Sequence, residues 1–318
     1  MRVVSVALAV PPRVQTAAEL APLVDRSAAW IEEHTGVLRR HVADDDLTPA
    51  QLAGRAAHAA LAETGPPDLI LYAGALPQQL VPDTSVFVQR ELGLDRATAF
   101  CVNQTCLSFV TALQVAQGLL QAGSYRRVLI CTAELATRGR VFREAESAAL
   151  LGDGAAAAVV ELVAGDESNM LHCELQTWSA GLELCHVRAG TLPPAALAAP
   201  HDDLYGFHMQ GPKLYRFVRP RLQQFLAEFL DHAHCRADDI QLVVPHQASG
   251  PGLRLLEQCG FAAERIVNIV ADYGNCVAAS IPMALAVAVR DRRLQRGDKV
   301  LLVGTAAGVS LGAALLRW

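Results

Sequence analysis

The chain has 318 residues, 52% of them hydrophobic, with 27 lysines and arginines against 32 aspartates and glutamates for a formal net charge of −5. That apolar share supplies one large or two ordinary cores, whereas the acidic balance, the 5% aromatic content and the absence of a basic block exclude a nucleic-acid footprint. Eight cysteines scattered through apolar runs, with no C-x-x-C pair, point to a reducing, cytoplasmic setting rather than a disulfide scaffold.

Residues 1–10 are apolar over too short a span to cross a membrane and run into Pro11-Pro12, as suits a buried first strand. Capped helices follow at 16–25 and at 27–35, the second carrying Trp30 and closed by Gly36. An alanine-rich helix at 48–64 stops at Gly65-Pro66-Pro67, and a buried strand occupies 68–74. Helix 84–92, strand 97–102, an uncharged helix 107–122 stopped by Gly123, and strand 127–133 continue the alternation. Strands too apolar to alternate sides predict an α/β chain whose parallel sheet is covered on both faces.

The glycine turn Gly152-Asp153-Gly154 enters a small-residue strand. It is no dinucleotide fingerprint, because the third glycine is missing and no helix follows to meet a phosphate. Residues 164–205 have weak periodicity and read as pocket-shaping loops. A long amphipathic helix is expected at 209–233, with Arg216, Arg219 and Arg221 on or near its exposed face and Pro220 as a kink. Strand 240–246 ends in His246. A segment at 266–269, a turn at 272–276, helix 278–290 and strand 299–305 close the chain.

The late segments echo earlier ones. The run Ala112-Leu113-Gln114-Val115-Ala116, a glycine stop and strand 128–133 reappear as Ala284-Leu285-Ala286-Val287-Ala288, Gly297 and 300–306, an offset of 284 − 112 = 172 residues. This predicts duplication of one α/β unit, with halves at 1–165 and 166–318. Cys106, His246 and Asn275 each follow a strand closely, at the carboxyl ends where doubly wound sheets bind ligands. A thiol where a helix begins also meets free backbone N–H groups and the positive end of the dipole.

Gly308-Val309-Ser310-Leu311-Gly312 has the spacing of a serine nucleophile elbow. Neither an acid nor a histidine follows it, as that enzyme class requires. His232, His234 and Cys235 lie two and one apart on a helix end, where neighbouring side chains point in different directions, and no second pair at ligand spacing appears, so no metal is expected. Asp44-Asp45-Asp46 reads as a solvated loop.

Cys106 within NQTCLSF, His246 within VPHQAS, Asn275 within YGNCVAAS, the GDGAAA run from Gly152 and the closing GTAAGVSLG together resemble the β-ketoacyl-ACP synthase III group of the thiolase superfamily. The resemblance spans nearly the whole chain, and Trp30 before Thr35-Gly36 and Met209-Gln210-Gly211 belong to it. It implies a thiolase fold of duplicated halves in a five-layer αβαβα arrangement, and a homodimer. It also implies a catalytic Cys106 that accepts an acyl group from coenzyme A or an acyl carrier protein, with no tightly bound cofactor. His246 and Asn275 would donate hydrogen bonds to the carbonyl of a malonyl-type extender during decarboxylative Claisen condensation. Expected substrate contacts are Trp30 on the adenine, Ala307 in the oxyanion turn, Ser249 in place of a usual asparagine, and Arg216. Leu107-Ser108 after the cysteine, Ala306-Ala307 in a turn usually richer in glycine, and His34 at an arginine position indicate a relative from specialised metabolism. Two alternatives stand beside condensation: acyl transfer to an alcohol or amine without decarboxylation, and a non-catalytic partner subunit.

Overall fold

A computed structural model describes residues 1–163, 169–190, 196 and 199–318. The first half contains β1 (Arg2–Ala9), β2 (Val14–Thr16), α1 (Ala17–Leu20), α2 (Ala28–Thr35), β3 (Arg39–His41), α3 (Pro49–Leu61), β4 (Leu69–Tyr72), α4 (Thr84–Glu91), β5 (Thr98–Cys101), α5 (Ser108–Gln121), β6 (Arg127–Leu135), α6 (Ala145–Ala148) and β7 (Asp153–Glu161). There follow β8 (Asn169–Thr177), β9 (Cys185–His186), α7 (His201–Tyr205), β10 (His208–Met209), α8 (Gly211–His232), β11 (Leu242–Pro245), α9 (Gly250–Glu257), α10 (Val270–Tyr273), α11 (Ser280–Arg290), β12 (Lys299–Ala306) and β13 (Ser310–Arg317).

Local chemistry sets many of the helix starts. Thr16 and Thr48 form capping boxes with Glu19 and Gln51, and Ser27 and Asp83 cap α2 and α4 through their side chains. Each such cap contributes about 1 kcal/mol by satisfying an N–H that the helix leaves open.

Two sheets carry the architecture, ordered β1-β7-β6-β4-β5 and β8-β13-β12-β11. Leu69 and Leu71 of β4 and Val128 and Ile130 of β6 pack inward with α5 and α11, together with Leu242, Val244, Val300 and Leu302 of the second sheet. The alternate residues Ile70, Tyr72, Leu129 and Cys131 pack outward on α3. In the second sheet, Leu301, Val303 and Leu311 pack outward on α8 and α9. The layers are therefore α3/α4, sheet, α5/α11, sheet and α8/α9, the five-layer αβαβα thiolase fold. The 172-residue offset holds for whole elements: α5 begins at Ser108 and α11 at Ser280, β6 at Arg127 and β12 at Lys299.

Two expectations are corrected. The sheets are mixed: β5, β4 and β6 run parallel, but β7 is antiparallel to both β1 and β6, and β13 to both β12 and β8. A strand buried on both faces has the same composition in either direction, so apolarity could not reveal this. The region expected to be loops holds the nine-residue β8, whose mixed polarity reflects its place at the sheet edge. Part of that region, and the expected boundary at 165/166, lie outside the described residues, although β7 and β8 belong to different sheets. The segment at 266–269 makes a single bridge, Ile266 to Val243. Residues 310–317 form the buried strand β13, where the Ser310 hydroxyl bonds that of Thr177 at 2.7 Å.

The halves also meet backbone to backbone. Asn275 donates its N–H to Leu150 O (2.8 Å) and accepts from Gly152 N (3.0 Å). A Cβ on Gly152 would stand 2.0 Å from Tyr273 O. Gly152→Ala should therefore cost about 1–3 kcal/mol by overpacking and lower the urea midpoint. Gly118→Ala, with open space at its Cβ, should leave the midpoint unchanged or raise it, helix propensity favouring alanine by about 0.5–1 kcal/mol. Equal midpoints for the two variants would show that this junction tolerates displacement.

Candidate active site

One turn, used twice, builds the site. In the first half Asn103 Oδ1 accepts from Thr105 N (2.9 Å) and Ser108 Oγ from Gln104 N (2.9 Å). In the second, Asn275 Oδ1 accepts from Val277 N (2.9 Å) and Ser280 Oγ from Cys276 N (3.1 Å). The β-branched residues Thr105 (φ 48°) and Val277 (φ 45°) both adopt the left-handed conformation that such side chains rarely take. All four pairs of positions differ by 172, as do Cys106 and Ala278. The two copies have diverged: the thiol stands in the first, and alanine takes its place in the second.

Cys106, His246 and Asn275 line one cavity of about 340 Å³, together with Ser249 and Ala307. Cys106 comes from the turn before α5, His246 from the segment after β11, and Asn275 from the turn before α11. The apolar wall consists of Leu214, Val218 and Leu222 of α8 with Leu253 and Leu256 of α9. Gly304 of β12 allows the close approach: a Cβ there would lie 2.9 Å from His246 Cβ and 3.2 Å from Leu107 Cδ2.

Burial sets the electrostatics. It pushes the Cys106 thiol well above its ordinary range, with Cys185 and Glu134 adding to the shift, while the backbone N–H groups of Cys106 and Ala307 oppose it. The helix terminus thus does not make a resting thiolate. Burial also lowers His246 to about 4, so the imidazole is neutral near pH 7, and its Nδ1 has no partner among the described residues. Gln247 fixes the backbone beside it: Nε2 donates to Pro245 O (2.9 Å) and Val267 O (3.0 Å), and Oε1 accepts from Ile269 N (2.8 Å). The Asn275 amide is oriented by Val277 N–H on its oxygen and by a bond from Nδ2 to Ala248 O (3.3 Å), which leaves one N–H to give.

The remaining expected residues separate. The Ser249 hydroxyl caps α9 by accepting from Gly252 N (3.1 Å) while lining the cavity. Trp30 lies outside the cavity, in an adjoining groove of about 580 Å³ that shares Glu146 and Met209 with it. There it stacks on His34, with ring centroids 4.3 Å apart, and Arg26 lies 5.3 Å from its ring. Arg216 is exposed on α8 and lines neither space. His232, His234 and Cys235 do not converge: the Cys235 thiol meets Arg236 O and Lys299 Nζ, each at 3.6 Å.

Sequence reasoning missed Glu134, the lone charge in the run Val128–Leu135, which was its available signal. The fully buried carboxyl accepts from Ala75 N (2.6 Å) and Leu76 N (3.1 Å). Burial pushes it up to about 8, against the pull of these N–H groups and that of Ala278. Cys185, which also lines the cavity, gave no sequence signal.

Residues 100–179 match the profile of 3-oxoacyl-[acyl-carrier-protein] synthase III, and residues 230–318 that of its C-terminal part. The β-ketoacyl-[acyl-carrier-protein] synthase III of Rhizorhabdus wittichii is 35% identical over 99% of this chain and 98% of its own, and that of Rhodospirillum centenum 36% over 97% and 96%. The crystal structure of 3-oxoacyl-[acyl-carrier-protein] synthase III from Aquifex aeolicus superimposes with a TM-score of 0.91 at 29% identity, covering 100% of this chain and 99% of that one. With its duplicated halves and five layers, the chain belongs to the 3-oxoacyl-[acyl-carrier-protein] synthase III family of the thiolase superfamily.

Proposed function

We propose that this protein is a ketosynthase III-type condensing enzyme whose nucleophile is Cys106. The carrying observation is the convergence of Cys106, His246 and Asn275, drawn from both halves, in one largely apolar cavity. The thiol attacks an acyl thioester: the S–acyl bond forms, the donor C–S bond breaks, and the thiol proton leaves with the released coenzyme A or carrier thiol. A malonyl-type thioester then loses carbon dioxide. His246 and Asn275 each donate a hydrogen bond to its carbonyl oxygen, where the enolate charge develops. The enolate carbon attacks the acyl carbonyl, the acyl–sulfur bond breaks, and the departing Cys106 thiolate takes a proton from water. The N–H groups of Cys106 and Ala307 serve the oxyanion. None of these steps requires a tightly bound cofactor. A cytoplasmic homodimer belongs to the same reading, supported by eight cysteines without a disulfide and by Leu80 and Val81, 71% and 83% exposed.

The outer groove leaves room for a second reading, acyl transfer to an amine. Among the described residues its walls present Glu144, Glu146, Glu183 and Asp203 with Arg26 and Arg188. Glu144 holds His208 (2.6 Å) and Asp203 holds Arg143 (2.7 Å). With those two paired, Glu146 and Glu183 stand beside Arg26 and Arg188, so the groove lacks the cationic excess that would favour the phosphates of coenzyme A, and a short pantetheine-type donor suits it equally well.

Intact-mass measurement after incubation with a panel of acyl thioesters should reveal a single acyl adduct that is lost in Cys106→Ala; no adduct with any donor sinks both readings. With a carboxyl-labelled malonyl thioester, release of labelled carbon dioxide supports condensation, whereas product formed without it supports simple transfer. His246→Ala should slow condensation by about 10²–10³ while the adduct still forms; an unchanged rate would remove His246 from the mechanism.

The His246 pKa of about 4 lies below the ordinary value of about 6.5, so the unfolded chain binds this proton first and the site stays neutral across the usual histidine range. The kcat/KM profile should be level through about 6.5, and the contribution of His246 to stability should fade as pH falls from there towards 4. An inflection near 6.5 that disappears in His246→Asn would contradict the dry environment. A short pantetheine thioester should acylate Cys106 at least as fast as the coenzyme A thioester, and Glu146→Gln should narrow the gap. A coenzyme A advantage that the variant leaves unaltered would count against the charge argument.

A further inference from the structure

The edge strand β8 and the last residue of α8 bring together three groups that lie 2 and 58 positions apart. His172 and Glu174 share a face of β8, as residues two apart on a strand must. Glu174 Oε1 accepts from His172 Nε2 at 2.6 Å and from His232 Nδ1 at 2.7 Å. One ligand atom from each of the three residues falls within 4.8 Å of the others. The side chains are 26%, 19% and 56% exposed, so the group is held by the fold and open on one side. Phe229, one turn before His232 on α8, packs its ring 5.0 Å from that of His172 and fixes the imidazole. Asp231 and Glu228 add negative field at His232.

We propose that His172, Glu174 and His232 form a binding site for a divalent transition-metal ion of the zinc class. Two imidazoles and one carboxylate, with room for water in the fourth position, make a donor set that such ions accept. Metal–ligand bonds of about 2.0–2.2 Å in a tetrahedron place donor atoms about 3.3 Å apart. The two hydrogen-bonded pairs therefore open by about 0.7 Å and the imidazole nitrogens close to a similar separation, movements that side-chain rotation provides. The ion displaces the protons now shared with Glu174, so each imidazole binds as its neutral form. Bound there, the ion ties the carboxyl end of α8 to the sheet edge. The same helix supplies Leu214, Val218 and Leu222 to the cavity wall, so the ion would rigidify that wall without touching the reacting atoms.

The test uses the untagged full chain, stripped by a chelator. Calorimetric titration with zinc, checked by native mass spectrometry, should show one strongly bound ion per chain and a raised melting temperature. His232→Ala, a change at an exposed side chain, and Glu174→Gln should each weaken that binding by about tenfold or more and abolish the thermal shift. Cobalt in the same site should give visible d–d bands without thiolate-to-cobalt charge transfer, which separates it from ions held by Cys106 or Cys235. Equal affinity in parent and variants, a thiolate band, or no saturable binding would overturn the assignment.

Discussion

Burial of two nearly uncharged helices between two sheets is the constraint on which the rest of this structure depends. α5 carries no charged residue and α11 only its terminal Arg290. α11 is buried around nearly its whole circumference and must be covered on two sides, which one sheet alone cannot do, whereas α5 buries its apolar face and keeps a stripe at Gln114, Gly118 and Gln121 exposed. Leu113, Leu120, Ile281, Met283 and Leu285 lie in this middle layer with exposures of 2% or less. Each large side chain there is worth about 1.5–3 kcal/mol of burial. Because the layer is dry, any polar group at its margin must be hydrogen-bonded or hold its neutral form.

The starts of those two helices are the margin, and the site lies there. A thiol, an imidazole and a carboxyl group all shift toward neutrality: Cys106 upward, His246 downward to about 4 and Glu134 upward to about 8. The site thus stores few charges at rest and offers fixed donors, the N–H groups of Cys106 and Ala307, the Asn275 amide and a neutral imidazole. Such donors gain most when charge develops in water-poor surroundings. The cost falls on the backbone, where two β-branched residues, Thr105 and Val277, are held at positive φ to aim the turns.

Duplication explains how one fold supplies unlike groups to one cavity. The two Asn-x-x-x-x-Ser turns keep the same side-chain bonds to backbone N–H groups, yet the first contributes its fourth residue, Cys106, and the second its first residue, Asn275. The outer parts of the molecule are freer. The groove at Trp30 is lined by carboxylates and arginines, and the end of α8 meets β8 through a histidine-carboxylate cluster.

Residue order alone determined the alternation of helices and strands, the capped starts, the repeat at 172 residues and the three polar residues after strand ends, because periodicity, caps and glycine stops are local. The motifs around Cys106, His246 and Asn275 pointed to the family by the same local route. Only tertiary structure decided the antiparallel strands β7 and β13, since a strand buried on both faces reads alike in either direction. It also showed β8 as an edge strand where mixed polarity had suggested loops. The raised carboxyl of Glu134, the raised thiol of Cys106 and the separation of Arg216 from the cavity followed from the tertiary surroundings, which depend on neighbours distant in the chain. The meeting of His172, Glu174 and His232 had no spacing to announce it, because a strand and a helix end become adjacent only when the layers close.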